Sequence, residues 1–227
     1  MANSSGRSKT TTPSPKLPPH DGAAAPSDKA RVVLAGARAV FLANGFSAAT
    51  TDMIQQAAGV SKSTVYSHYP NKEALFVAVV EAECEHFLKT VRDRKFPEKR
   101  LADNLNAIAQ AYLEIVLSRD GLALYRMVVS EAPRFPELGR RFYLAGPGAT
   151  NKIVADTLEV AASKGEVDLG GIGRDSAAAL FVNMVRGEAQ MQCLTHPDSP
   201  ASAAQRDRWT NDAVTAFLRA FEKKHRG

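Results

Sequence analysis

The stretch TTDMIQQAAGVSKSTVYSHYPNK, from Thr50 to Lys72, leaves this chain the fewest alternatives. Its punctuation predicts two short helices set at an angle. A hydroxyl at Thr50 or Thr51 can accept an orphan N–H at the start of the first helix. Ile54, Ala57 and Ala58 give that helix an apolar side. Gly59 stands where it must end, because glycine reaches the left-handed conformation without a Cβ penalty. Val60 fills the turn, and Ser61 caps a second helix from Lys62 to about His68. Within that helix Val65 faces the core. Lys62, Ser63, Thr64, Tyr66, Ser67 and His68 are left to face outward; all can donate a hydrogen bond and none is acidic. Tyr69, preceding Pro70, is pushed out of the helical region, which ends the element. Asn71 then caps a further helix, with Glu73 in its first turn, where a negative charge suits the helix dipole.

Two short helices around a glycine turn, the second rich in donors, fit a DNA major groove. Over ARAVFLANGFSAATTDMIQQAAGVSKSTVYSHYPNKEALF, about residues 29–80, the chain resembles the DNA-binding domain of the TetR family of bacterial transcriptional regulators. The Ala-Gly-Val-Ser turn, the Thr-x-Tyr-x-His-Tyr helix and the Asn-Lys-Glu-x-Leu start of the next helix carry the resemblance. Gln55 stands where that family mostly has alanine at the helix crossing, and Ser63 where glycine is common. The stretch EAPRFPEL…FYLAGP further resembles the AefR-like C-terminal domains of the family. The expected architecture is all-α. An N-terminal three-helix helix-turn-helix domain is joined by a long helix to an all-helical ligand-binding and dimerisation domain.

Within the motif the residue types suggest roles. Thr50, Thr51, Tyr66, His68 and Lys72 are expected to meet phosphates, which sets register. Lys62, Ser63, Thr64 and Ser67 are expected at base edges, where short polar side chains read several bases. A capping or core role suits His68 equally well, and Tyr69 reads as core.

Charge agrees with this placement. Residues 1–72 hold eight Lys/Arg and three acidic residues, a net of +5; residues 73–227 hold 21 of each. The whole excess lies on the segment with the motif, as expected where phosphates are met. A 44% hydrophobic content over 227 residues is ample for a buried core. Cys84 and Cys193 are far apart in apolar or helical sequence and read as two buried thiols in a reducing, cytoplasmic protein. The N-terminus is polar and proline-rich rather than a signal peptide, and no apolar run approaches the ~20 residues of a membrane helix.

In chain order, residues 1–27 contain no aromatic and five of the twelve prolines. Such a segment buries too little to offset its ordering entropy, and reads as a disordered tail. The DNA-binding domain spans 28–72 and the helical ligand-binding and dimerisation domain 73–227. The first helix starts at Ser27 or Asp28 and stops at Gly45, burying Val33, Ala37, Val40 and Phe41. The fourth runs from Lys72 to about Arg94, too long for the small domain alone. It carries Glu83-x-x-His86, a spacing of di-iron bundles, but no second copy exists; an exposed carboxylate and histidine are expected. Further helices follow over Leu101–Leu117, Gly121–Ala132, Phe135–Ala145 and Ala149–Lys164, with a break expected at Gly146-Pro147-Gly148. The helix from Asp175 to Leu194 is apolar nearly all round, apart from a polar stripe of Asn183, Arg186 and Gln190. It needs burial on both sides. With the helix Ala203–Glu222, which carries Phe217 and Phe221, it is expected to pair with its symmetry copy, making a homodimer through residues 175–222.

These features favour a dimeric, ligand-responsive repressor that binds double-stranded DNA at an inverted repeat. The alternative is a DNA-binding protein without a small-molecule ligand, for which residues 73–227 are larger than needed. An enzyme is disfavoured: the sequence has no Gly-x-Ser-x-Gly, His-Glu-x-x-His, Cys-x-x-Cys or Walker motif, and its five histidines are scattered. No cofactor, metal or membrane partner is expected. An effector pocket between the fourth helix and the middle helices would draw on Phe87, Tyr112, Met127, Phe142 and Tyr143. Arg126 and Arg186 suit a ligand carboxylate, although a salt bridge to a protein acid is the stronger expectation.

Overall fold

The computed structural model describes residues 27–93 and 100–223; the side chains of Phe87 and of residues 90–93 are outside that description. The tail expected at 1–27 therefore falls almost wholly outside the described residues. The described chain is all-helical: α1 (Asp28–Ala48), α2 (Thr51–Ala58), α3 (Lys62–His68), α4 (Lys72–Asp93), α5 (Leu101–Val116), α6 (Arg119–Glu131), α7 (Pro136–Tyr143), α8 (Ala149–Ser163), α9 (Gly173–Thr195) and α10 (Ala203–Phe221).

Ser27 caps α1, its Oγ accepting from the Ala30 N–H at 3.2 Å. The regular helix breaks at Gly45, whose φ of 75° is costly for any residue with a Cβ. That break swings Phe46 back under the helix. Its ring lies 5.9 Å from Phe41, 4.8 Å from Phe76 of α4 and 5.5 Å from Phe135 before α7. One apolar cluster thus joins α1–α4 to Leu124, Met127 and Val128 of α6 and Leu138 of α7. The second cluster is built from α5, α8, α9 and α10 around Leu105, Leu158, Phe181 and Phe217. Burying one such large side chain contributes about 1.5–3 kcal/mol. The helix-turn-helix therefore rests directly on α6 as well as on α4, through side chains that sequence periodicity cannot pair.

Two expectations need correcting. The chain does not break at Gly146-Pro147-Gly148. A π-helical turn, Leu144–Gly148, carries α7 directly into α8. Pro147 has no N–H to donate, and a single wider turn absorbs its ring without ending the helix. The Thr150 hydroxyl then donates to the Gly146 carbonyl at 3.1 Å. Along the polar stripe of α9, Asn183 is exposed. Gln190 is only 8% exposed and Arg186 is half-buried, whereas Leu180, Met184 and Met191 are 49%, 43% and 60% exposed. Secondly, Phe217 belongs to this chain's own core. It is fully buried, with Phe181 at 5.2 Å and Phe221 at 4.8 Å.

The Gly-rich loop before α9 is pinned to the end of α10, a contact no local pattern announces. The Asp168 N–H donates to the Phe221 carbonyl at 2.8 Å, and the Lys223 N–H to Glu166 at 2.9 Å.

Candidate nucleic-acid interface and internal cavity

The reading helix is set by its turn. Thr50 caps α2, its hydroxyl accepting from the Met53 N–H at 3.2 Å. Gly59 takes φ 63° and ψ 32°, and the Val60 and Gly59 N–H groups close on the carbonyls of Gln55 and Gln56 at 3.1 and 3.2 Å. This left-handed cap turns the chain sharply into α3. Ser61 caps α3 through the Thr64 N–H, and its Oγ also lies 2.8 Å from both Ser63 Oγ and Thr64 Oγ1. Val65 is buried, holding α3 to the domain. The outward face then presents Lys62, Ser63, Tyr66, Ser67 and His68 to solvent, with Thr64 half-buried. Across the two helices, Thr51 Oγ1 and the Tyr66 hydroxyl are 3.3 Å apart. Tyr69 packs against the core, and burial raises its phenol above the usual value.

α1 and α2 cross closely at Gly36. A Cβ added to Gly36 would fall 2.7 Å from Ala58 Cβ and 2.8 Å from Ala58 N. Only glycine permits that approach.

Two cations of the segment are already engaged. Lys62 Nζ pairs with Asp52 Oδ1 at 2.9 Å on the open surface; the hydrogen bond and the charge of that carboxylate raise the lysine pKa. Lys72 Nζ donates to the carbonyls of Phe46 and Ala49, each at 3.0 Å, and lies 4.5 Å over the Phe46 ring. The expected phosphate contact is thus a group that ties the start of α4 to the loop between α1 and α2.

Behind this domain lies a cavity of about 370 Å³ enclosed by α1, α4, α5, α6, α7, the π turn and α9. Of the residues expected there, Tyr112, Phe142 and Arg186 line it. Met127 is buried in the apolar cluster beside it. Arg126 is exposed and reaches the Leu194 carbonyl at 3.5 Å. Tyr143, 56% exposed, lines a separate surface hollow with Asn151 and Arg174. Helical phase is the reason: Phe142 and Tyr143 are adjacent, so one faces in and the other out. The Phe87 side chain is outside the described residues.

Sequence reasoning missed the polar wall. Arg38 of α1 donates through Nε to Glu83 Oε1 at 2.6 Å and through Nη2 to Glu83 Oε2 at 2.9 Å. The same Nη2 donates to Asp120 Oδ2 at 2.8 Å. The hydrogen bond to Glu83, then the one to Asp120, holds the guanidinium above its usual pKa against desolvation. Glu83 is therefore a half-buried ion-pair partner facing the cavity, not the exposed carboxylate expected of Glu-x-x-His. The available signal was Arg38 itself, one position beside the buried Ala37. Arg186 faces the same space. Its contacts are the Asn183 Oδ1 at 3.1 Å and the Tyr112 hydroxyl, and no salt bridge of Arg186 occurs among the described residues. Burial raises the Tyr112 phenol, and Arg186 opposes that rise. No cluster of His, Cys, Asp and Glu suited to a metal occurs among the described residues, and none of the described helices is long and apolar enough to cross a membrane.

Comparison with known proteins places both halves. Residues 33–79 match the family model of bacterial regulatory proteins, tetR family, and residues 103–223 match that of the AefR-like transcriptional repressor, C-terminal domain. The flavonoid-responsive regulator FrrA is 33% identical, with a TM-score of 0.69 over 86% of this chain and 98% of that one. A TetR-family transcriptional regulator from Mesorhizobium loti MAFF303099 is 23% identical, with a TM-score of 0.78 over 86% and 97%. The HTH-type transcriptional repressor AcnR of Corynebacterium efficiens is 29% identical over 73 residues, 32% of this chain and 39% of AcnR. The chain thus spans about two-fifths of the length of that curated relative.

Proposed function

The chain belongs to the TetR family of bacterial transcriptional regulators, and from that premise we propose that it is a homodimeric repressor released from DNA by a small-molecule effector. It acts in the cytoplasm on an inverted-repeat operator. Each protomer lays α3 in the major groove, with Lys62, Ser63, Thr64 and Ser67 at base edges and Thr50, Thr51, Tyr66 and His68 on phosphates. Dimerisation runs through residues 175–222, with α9 and α10 meeting their symmetry copies.

One observation carries the ligand-released reading. The cavity wall includes Arg38, which stands on the first helix of the DNA-reading domain and is bonded to α4 and α6 at once. An occupant that moves α4 or α6 pulls on α1 through this guanidinium, and α1 carries α2 and α3. Effector and operator then select different members of one ensemble, with a coupling of typically about 1–3 kcal/mol, the same in both directions. FrrA, whose name marks it as flavonoid-responsive, supports an aromatic effector for a related chain of this shape.

The test is operator affinity with and without an effector found by thermal-shift screening. Wild type should release the operator about 5–150-fold more readily with effector bound. Arg38→Met should keep operator affinity and effector binding while shrinking that ratio. A ligand that fills the cavity yet leaves wild-type operator affinity unchanged would refute release. The DNA-binding reading would then stand as that of a regulator without an effector.

A further inference from the structure

We propose that the cavity takes a planar aromatic acid, its acidic group held by Arg186 and Gln190 and its ring against Tyr112, Tyr125 and Phe142. The inference rests on the reading of the cavity as the effector site, and adds the chemistry of the effector.

The charges of the cavity decide the sign. Arg38 is matched by two carboxylates, Glu83 and Asp120. Glu114 and His86 each have an interaction partner already. Arg186 differs: among the described residues it reaches only an amide oxygen and a phenol, both neutral. A guanidinium that is half-buried against aromatic walls and lacks a counter-anion favours an incoming one, and presents a fork suited to a carboxylate or an acidic phenolate. One turn along α9, Gln190 also lines the cavity. It is only 8% exposed. A ligand oxygen beside Arg186 can also accept a hydrogen bond from the Gln190 amide. An amine would meet the Arg186 charge and is disfavoured.

The walls decide the body. The Tyr125 and Phe142 rings are 6.4 Å apart, and Tyr112 closes the α5 side at 3% exposure. Such surfaces favour a flat ring over a flexible chain. A volume of about 370 Å³ lies near the small end of ligand pockets, which suits one or two rings with short substituents.

The experiment is calorimetric titration of the full-length protein at 0.15 M salt with 4-hydroxycinnamate, its methyl ester and tyramine. Wild type, Arg186→Gln, Arg186→Lys and the cavity-filling Val116→Trp are compared, each checked for a cooperative thermal transition. Val116→Phe replaces Val116→Trp if that variant does not fold. The acid should bind about 10–100-fold more tightly than the ester, the range of one charge-assisted contact. Tyramine should bind most weakly. The preference should vanish in Arg186→Gln and return in part in Arg186→Lys, and binding should be lost when the cavity is filled. Equal or tighter binding of ester or amine overturns the proposal, as does a preference that survives Arg186→Gln, or no binding by any of the three. If the ester or amine binds and filling the cavity abolishes it, only the ligand class falls. Binding that ignores the filled cavity also removes the effector site itself.

Discussion

Lys72 looks like a phosphate contact in sequence, yet its ammonium closes the protein on itself through two carbonyls and the Phe46 ring. Lys72→Met should therefore cost about 1–3 kcal/mol of stability, summing two modest hydrogen bonds and a cation–π contact. DNA binding should weaken through a loosened α4, with the salt dependence of operator affinity unchanged. A true phosphate contact would lower that slope by about one unit, so the slope decides. Lys62 is the reverse case, since its partner Asp52 competes with DNA on an open surface. Asp52→Asn should raise affinity for all DNA sequences by about 2–5-fold at low salt and by less at high salt, measured by fluorescence anisotropy. Cys84 offers a pH-dependent check. Burial pushes its thiol up to about 12. The folded state disfavours the thiolate, so this group's contribution to stability is complete below the unfolded value of about 8.5 and is lost as pH rises through the folded value. At pH 8 iodoacetamide should label Cys84 at least about 100-fold more slowly in the native than in the unfolded protein, as read by mass spectrometry. Equal rates would contradict the burial.

Among the elements, α2 and α6 matter beyond their length. The helix-turn-helix is seated by the close crossing of Gly36 on Ala58, where an added Cβ has no room. Gly36→Ala should push α2 and α3 away from α1, lowering the melting transition by an amount equivalent to about 1–3 kcal/mol and weakening operator binding. Ligand binding in the cavity behind α1 should be retained; its loss would show that the two halves unfold together. α6 is the second such element. Its start carries Asp120 to Arg38, its middle gives Leu124 to the shared core, and its end accepts the Ser47 hydroxyl on Glu131 at 3.1 Å. A long α4 was legible from its apolar repeat. The α1–α6 contact was not, because the two helices are separated by about a third of the chain and neither carries a local pattern naming the other.

For the whole molecule, the open question on one chain's surface is α9. Leu180, Met184 and Met191 lie exposed on one side of it, while Phe217 of α10 is sealed within the protomer. The two positions should answer charge differently. Met184→Glu should leave a folded protein that dimerises about 30-fold or more weakly, by sedimentation velocity across a concentration series. Phe217→Glu should abolish cooperative folding instead, by circular dichroism. A Met184→Glu protein as firmly dimeric as wild type would move the interface elsewhere.

Local chemistry was enough for much of this protein. Capping hydroxyls at Ser27, Thr50 and Ser61, the left-handed glycine at Gly59 and the stop at Gly45 all act within a few residues, so their meaning is written in sequence. The donor-rich face of α3 follows from the same short range, because one buried residue, Val65, sets the orientation of its neighbours. What only tertiary structure decided is which distant side chains meet. Arg38 finding Glu83 and Asp120, Lys72 turning inward, and Arg186 and Gln190 facing a cavity while Leu180, Met184 and Met191 face out all depend on helices from remote parts of the chain. Periodicity reports that a helix has two faces. Which face is covered, and by what, is settled only when the partners pack.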